Sequence, residues 1–323
     1  MNIKRKKIKV QGVVQGVGFR PAIARKASLL SLTGTVLNTR DSVEIEIQGA
    51  QSSVDRFVDE FYDFIPVNAV INSLTQEDIT AVGNEEGFSI IDSRDHGPTR
   101  FSIPPDIAMC TECRKEFNDP ADRRYKYPFI TCGDCGPRYT YMEDMPYDRA
   151  KTSMKHFPLC PECRKEYEDP LNRRFHIEGF SCPVCGPSVK GLDGAIDVIL
   201  NSGIAAAKGL GGYHILCSAV DNEAVNKLRE RKKRPAKPFA VMFTSADEAK
   251  KYVEMTPHEE VLLKSNVSPI VLCKSRADSA IAPAVAPRNA FLGVMIPYTP
   301  LHELILEKAC IPLVMTSANV SGD

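Results

Sequence analysis

The chain has no surplus of charge of either sign. Forty-one Lys and Arg balance forty-one Asp and Glu over 323 residues, so its formal net charge is zero. A general electrostatic affinity for nucleic acid is therefore not expected. It also has no apolar run of the length that spans a bilayer, and membrane association is not expected. The opening Met1-Asn-Ile-Lys-Arg-Lys-Lys is basic, yet it leads into an alternating strand-like segment and not into the apolar core of a signal peptide. A reducing cytoplasm is the expected compartment. What remains is the composition of an ordinary globular protein, with length enough for two or three domains.

Cysteine is abundant. Eight of the eleven cysteines fall in four Cys-x-x-Cys pairs: Cys110/Cys113, Cys132/Cys135, Cys160/Cys163 and Cys182/Cys185. A shift of 50 residues maps the first four onto the last four and carries much of the flanking sequence along, including Asp119-Pro120, Arg123-Arg124 and Cys135-Gly136-Pro137. Each Cys-x2-Cys-x18-Cys-x2-Cys unit has the spacing of a tetrahedral zinc site. A disulfide framework is disfavoured by the lack of a signal peptide and by the three scattered cysteines left over. Four thiolates leave no open coordination position, so two structural zinc ions are expected, and the metal supplies most of the folding free energy of residues 93–188. Pairing within each repeat follows the sequence pattern, but crossed pairing between repeats stays open. Arg123-Arg124 and Arg173-Arg174, with Tyr125, Tyr127, Phe175 and Phe180, either form a nucleic-acid surface or pack over the metal knuckles; packing is the preferred reading. His156 and His176 are read as surface or packing residues.

Residues 1–92 read as β-α-β-β-α-β with one extra strand, the order of a ferredoxin-like sandwich. A strand over 8–14 feeds Gln15-Gly16-Val17-Gly18-Phe19-Arg20-Pro21 and then a helix to about Leu30. Main-chain N–H groups at such a turn can cradle a phosphate, with the helix dipole assisting and Arg20 adding a charged fork. The string Val14–Arg20, followed by Gly34-x-Val36-x-Asn38 and Val43-Glu44, resembles the acylphosphatase family over about 90 residues. That resemblance implies that Gln15–Phe19 and Arg20 bind the phosphate and that Asn38 orients the attacking water. Asn38 read without the resemblance is a turn residue ending a strand.

Residues 189–323 alternate helices with apolar strands and form an α/β domain whose sheet is parallel or mixed. A helix is expected over Ala195–Lys208, a charged helix over Asp221–Lys233, and a capping box at Thr256-Pro257-His258-Glu259. The basic run Arg229–Lys237 delivers several cations directly before a buried strand. With Gly209–His214, Leu292–Pro300 and Thr316–Gly322, it resembles the YrdC-like fold, whose members bind ATP and make carbamoyl-type adenylates. The resemblance implies that His214, Lys232, Arg234, Lys237, Ser317 and Asn319 hold ATP, with its Mg2+, and carbamate. YrdC-like domains normally run past the last motif, so the sequence reads as the front part of a longer protein.

An acylphosphatase domain (1–92), a tandem four-cysteine zinc module (93–188) and a YrdC-like domain cut short (189–323) together resemble the HypF family of [NiFe]-hydrogenase maturation carbamoyltransferases. The resemblance implies a relay. Carbamoyl phosphate is hydrolysed, carbamate reacts with ATP to give carbamoyl adenylate, and the carbamoyl group passes to the C-terminal Cys of a HypE-type acceptor protein. The last step is expected to need a further C-terminal domain. The zinc module is expected to fix the relation between two working domains, with phosphatase activity surviving metal removal. Two alternatives are a threonylcarbamoyl-adenylate synthase of tRNA modification and a zinc-dependent nucleic-acid-binding regulator.

Overall fold

A computed structural model describes residues 2–98, 102 and 104–319. The chain forms two compact units, residues 1–106 with 131–187, and 107–130 with 188–323. Within the first unit, β1 (Ile3–Val13) leads to α1 (Phe19–Leu29), the hairpin β2 (Thr33–Asn38) and β3 (Val43–Ala50), α2 (Gln51–Asp59), the single turn α3 (Phe61–Phe64), β4 (Val70–Ile79) and β5 (Phe88–Ile90). The sheet order is β4-β1-β3-β2-β5. Neighbours run antiparallel except β5, which lies parallel to β2. This is the expected ferredoxin-like sandwich with its extra strand. Strict alternation in β3 explains the face it buries: Val43, Ile45 and Ile47 are fully buried, while Glu44 and Glu46 between them are not. Ile45 and Val43 stand opposite Ile8 and Val10 of β1, and Phe19, Ile23, Phe57 and Phe61 from the helices close the core over them.

Between the cysteine pairs regular structure is sparse. Helix α4 (Thr111–Asn118) starts directly after Cys110, and α5 (Pro161–Glu168) directly after Cys160, with proline in its first turn. Arg124 and Arg174 are buried and pack inside the fold, whereas Tyr125 is exposed.

The second unit contains α6 (Leu192–Leu200), β6 (Ala205–Lys208), β7 (Tyr213–Ser218), α7 (Asn222–Arg231), β8 (Ala240–Met242), α8 (Ala246–Ala249), β9 (Val253–Glu254), α9 (Pro257–Leu263), β10 (Val271–Ser275), β11 (Phe291–Met295), α10 (Pro300–Ala309) and β12 (Leu313–Ser317). They build a mixed seven-stranded sheet, β6-β7-β12-β8-β11-β10-β9, in which only β8 and β11 pair in parallel. One face packs on α7 through Val225 and Leu228, the other on α6 and α10 through Ile196, Ile199, Ile305 and Leu306. The capping box at Thr256 is present in full. The helix expected over Ala195–Lys208 is two elements. Asn201-Ser202-Gly203 ends α6, with Ser202 at a left-handed φ of 56°, and the alanines that follow pair as an edge strand with β7. Three alanines favour a helix locally, but the open edge of β7 offers their main chain a complete ladder. Of the last motif, Val320–Gly322 lie outside the described residues.

Candidate functional site

Gly16 and Gly18 adopt left-handed φ of 73° and 79°, which turn the chain sharply between β1 and α1. Val17 and Phe19 are buried in the core, which leaves the main chain as the polar face of the loop. Gln15 is a strut: its amide nitrogen donates to the carbonyls of Thr39 (2.8 Å) and Ser42 (3.1 Å), and its Oε1 accepts from the N–H of Tyr147 (2.9 Å). Arg20 opens α1 and is buried. Asn38, at the end of β2, stands across the same small cavity, which has room for about one water. The structure therefore brings together all seven residues singled out in this part of the sequence.

It also adds residues that the sequence did not assign. Arg20 Nη2 lies 3.0 Å from both Asp148 Oδ1 and Glu178 Oε1 and donates to the Tyr147 carbonyl at 3.3 Å, while Nη1 reaches Ser93 Oγ at 3.4 Å. Asn38 Nδ2 donates to the same Tyr147 carbonyl at 3.2 Å, and Asn38 Oδ1 is buried with no hydrogen-bond partner among the described residues. Burial opposes charge on Arg20, but Glu178 and Asp148 outweigh it and raise the pKa, so the guanidinium is charged. Burial raises the Glu178 carboxyl above its ordinary range against the pull of Arg20. His176 lies against Tyr167, ring centroids 4.6 Å apart, and burial followed by Arg20 lowers it to about 4, so it is neutral. Two sequence signals pointed here. Glu178 stands where the first repeat has Pro128, and Tyr147-Asp148-Arg149 lies in the stretch between the repeats.

In the second unit the cation-bearing loop after α7 meets the end of β12. Lys232 Nζ donates to the carbonyls of Ser317 (2.7 Å) and Asn319 (2.8 Å), and Arg234 Nη1 reaches Thr316 Oγ1 at 3.5 Å. His214 pairs with Ser317 across β7 and β12, and its Nε2 lies 3.0 Å from Tyr298 Oη. Lys237 takes part through its carbonyl, which accepts from Arg229 and Arg234. Arg229 shapes this loop: its fork also holds the carbonyls of Arg234 and Val285, with Phe239 stacked at 4.7 Å. The fully buried His302 packs against Tyr298 and His214, and neither of its ring nitrogens has a partner among the described residues.

The cysteine sulfurs gather within each repeat: Cys110, Cys113, Cys132 and Cys135 in one group, Cys160, Cys163, Cys182 and Cys185 in the other, each with all sulfurs within 4.8 Å. In the second group neighbouring Sγ atoms lie 3.6–3.8 Å apart. A tetrahedron with zinc–sulfur arms of about 2.3 Å has edges of about 3.8 Å, so the donor set fits that metal. The Asp134 N–H donates to Cys132 Sγ at 3.3 Å, an added partner for a thiolate.

Three family models match the chain: acylphosphatase over residues 6–90, HypF finger over 109–142 and 159–190, and the Sua5–YciO–YrdC model described as telomere recombination over 197–323. The chain is 44% identical to carbamoyltransferase HypF of Synechocystis over 99% of its own length and 43% of that protein's. It is 42% identical to probable carbamoyltransferase HypF of Methanocaldococcus jannaschii, over 98% of its own length and again 43% of the relative's. Residues of the first unit alone align at 40% identity with 92% of an acylphosphatase from Caldivirga maquilingensis. Among solved structures, full-length HypF in a phosphate- and nucleotide-bound form matches all of this chain and 44% of that one, with a TM-score of 0.93 and 41% identity. The chain thus spans less than half the length of the curated HypF relatives it matches.

Proposed function

Since the chain belongs to the HypF family, we propose that its first unit hydrolyses carbamoyl phosphate, as the opening step of a carbamoyl transfer in [NiFe]-hydrogenase maturation. In this reading one water attacks phosphorus, the bond from phosphorus to the acyl oxygen breaks, and carbamate leaves as dihydrogen phosphate forms. The substrate is an activated mixed anhydride, so positioning and charge neutralisation suffice without a protein nucleophile. The loop from Gln15 to Phe19 cradles the phosphoryl oxygens, Arg20 balances their charge, and Asn38 Oδ1 orients the attacking water by accepting a hydrogen bond from it. The observation that supports this is the Asn38 side chain: a buried carbonyl oxygen without a partner among the described residues, beside a charged buried arginine. An acceptor left so is costly unless a ligand or water satisfies it.

The second unit is proposed to take carbamate and ATP with Mg2+. Carbamate attacks the α-phosphorus, pyrophosphate leaves, and carbamoyl adenylate forms. Lys232, Arg234 and Lys237 meet the phosphates, and His214, Ser317 and Asn319 line the same end of the sheet. In the full-length relatives' context, the carbamoyl group passes to the C-terminal thiolate of a HypE-type acceptor. The eight paired cysteines hold two structural zinc ions, closed to substrate. Phosphate release from carbamoyl phosphate by the zinc-loaded chain, compared with Arg20→Ala and Asn38→Ala, tests the first step. Both variants are expected to lose at least a hundredfold in kcat/KM, and wild-type rates in Arg20→Ala would sink the assignment.

A further inference from the structure

A phosphate held in the cradle leaves the acyl end of the substrate facing the wall that residues 138–178 contribute. Arg20, His176 and Glu178 line both the small cradle cavity and a larger recess of about 330 Å³ beyond it. The acyl end therefore meets chemistry that the strand–loop–helix motif does not supply by itself. Carbamoyl phosphate differs from acetyl phosphate in carrying an NH2 where the latter has a methyl. Two N–H donors entering a buried site need acceptors there.

Acceptor capacity and burial together single out one group: Asn38 Oδ1 is assigned to the attacking water, and the Asp148 carboxylate, which also lines the recess, is part exposed and open to water. The Tyr147 carbonyl already accepts from Arg20 and Asn38, which uses both its lone pairs. His176 is neutral and packed between Tyr167 and Phe175. The Glu178 carboxylate offers about four acceptor positions. It receives the Arg20 guanidinium at 3.0 Å, the Arg149 N–H at 3.1 Å and a single Tyr167 hydroxyl 3.3 Å from both its oxygens. Those three donors fix its orientation and, among the described residues, leave one position open.

We propose that Glu178 is the specificity-determining residue of the hydrolytic site, accepting an N–H of the carbamoyl group while Arg20 holds the phosphoryl group. The proposal rests on the hydrolytic reading of Arg20 and Asn38. A site built to accept an N–H rejects the analogue that lacks it, because the buried acceptor is then left unpaired. Glu178 acts on substrate choice and not on the bond-breaking itself.

The test measures kcat/KM for carbamoyl phosphate and acetyl phosphate with the zinc-loaded chain, Glu178→Leu, Glu178→Gln and Arg20→Ala. The unaltered chain is expected to prefer carbamoyl phosphate at least tenfold. Glu178→Leu narrows that preference to less than threefold, because carbamoyl phosphate loses more than acetyl phosphate does, while Glu178→Gln, which keeps an acceptor oxygen, retains it. Equal losses on both substrates in Glu178→Leu would overturn the proposal and leave Glu178 as a support for Arg20. Equal gains on both in Glu178→Gln would overturn it too, making the carboxylate a competitor for Arg20. A measurement on the unaltered chain does not depend on any variant folding: carbamoylphosphonate should inhibit at least tenfold more tightly than acetylphosphonate, and equal inhibition refutes the proposal. Full activity in Arg20→Ala identifies the other failure, that of the hydrolytic reading beneath it.

Discussion

Arg20 and Glu178 are 158 positions apart in the sequence and 3.0 Å apart in the fold, both buried. The pair joins the first turn of α1 to the loop after α5, so the cradle and the cysteine-bearing segment share one charged contact. Truncating one member of a buried pair strands the other, at a cost of about 3–5 kcal/mol. Urea unfolding of Arg20→Ala and Glu178→Leu should each show a loss of that order. The double variant should lose clearly less than the sum, and strict additivity would mean the two charges do not stabilise each other.

The two loop glycines should respond unequally to alanine. Both have positive φ, which costs an L-residue about 1–2 kcal/mol. At Gly18 an added Cβ meets only Pro66 at 3.9 Å, whereas at Gly16 it falls 2.9–3.2 Å from the Tyr147 ring. Gly16→Ala should therefore lower Tm and kcat/KM further than Gly18→Ala. The melting curves and phosphate-release rates of the two purified variants decide it.

Metal removal should reach the proposed hydrolytic site. From the sequence, phosphatase activity is expected to survive without zinc. The contacts of Tyr147, Asp148 and Glu178 with Arg20 and Asn38 change that expectation. Structural zinc contributes about 10–16 kcal/mol to small sites, so chelation releases the segments that carry these residues. Carbamoyl phosphate hydrolysis should fall at least tenfold on chelation and recover on adding zinc back, while acetyl phosphate hydrolysis falls less. Unchanged rates on both would uncouple the two regions.

His302 should steepen the acid limb of stability. Burial, with His214 adding to it, lowers its pKa to about 3, against about 6.5 for a free imidazole. The unfolded chain thus binds a proton between those values that the folded chain refuses. Stability is present in full above pH 6.5 and is lost as pH falls toward 3, by about 1.4 kcal/mol per pH unit. His302→Leu should flatten that limb in denaturant titrations at pH 7, 6 and 5. A parallel curve would place the titration elsewhere.

Lys232 ties the loop after α7 to the end of β12 through the carbonyls of Ser317 and Asn319. Lys232→Ala should weaken ATP binding at least tenfold by calorimetry while leaving phosphate release from carbamoyl phosphate unchanged. Equal nucleotide affinity would remove this lysine from the site.

Several features were legible in the sequence because they are local. Alternation along 43–47, the capping box at Thr256 and the spacing of the cysteine pairs act over a few residues, where strand period and knuckle geometry leave little choice. The turn from β1 into α1 was legible for the same reason, since two glycines and an arginine at a helix start lie within five positions. The misplaced end of α6 marks the limit: alanines at 205–207 suit a helix until β7 offers a ladder.

By itself, then, the sequence determined the parts: the ferredoxin-like sandwich, the eight thiolates and the group of cations before β8. Only the tertiary structure decided what faces Arg20. Tyr147, Asp148 and Glu178 reach it from more than 120 positions away, and nothing in their local sequence encodes that distance. Burial does the deciding, because a charged arginine out of water must find acceptors, and the fold supplies them from wherever in the chain they come.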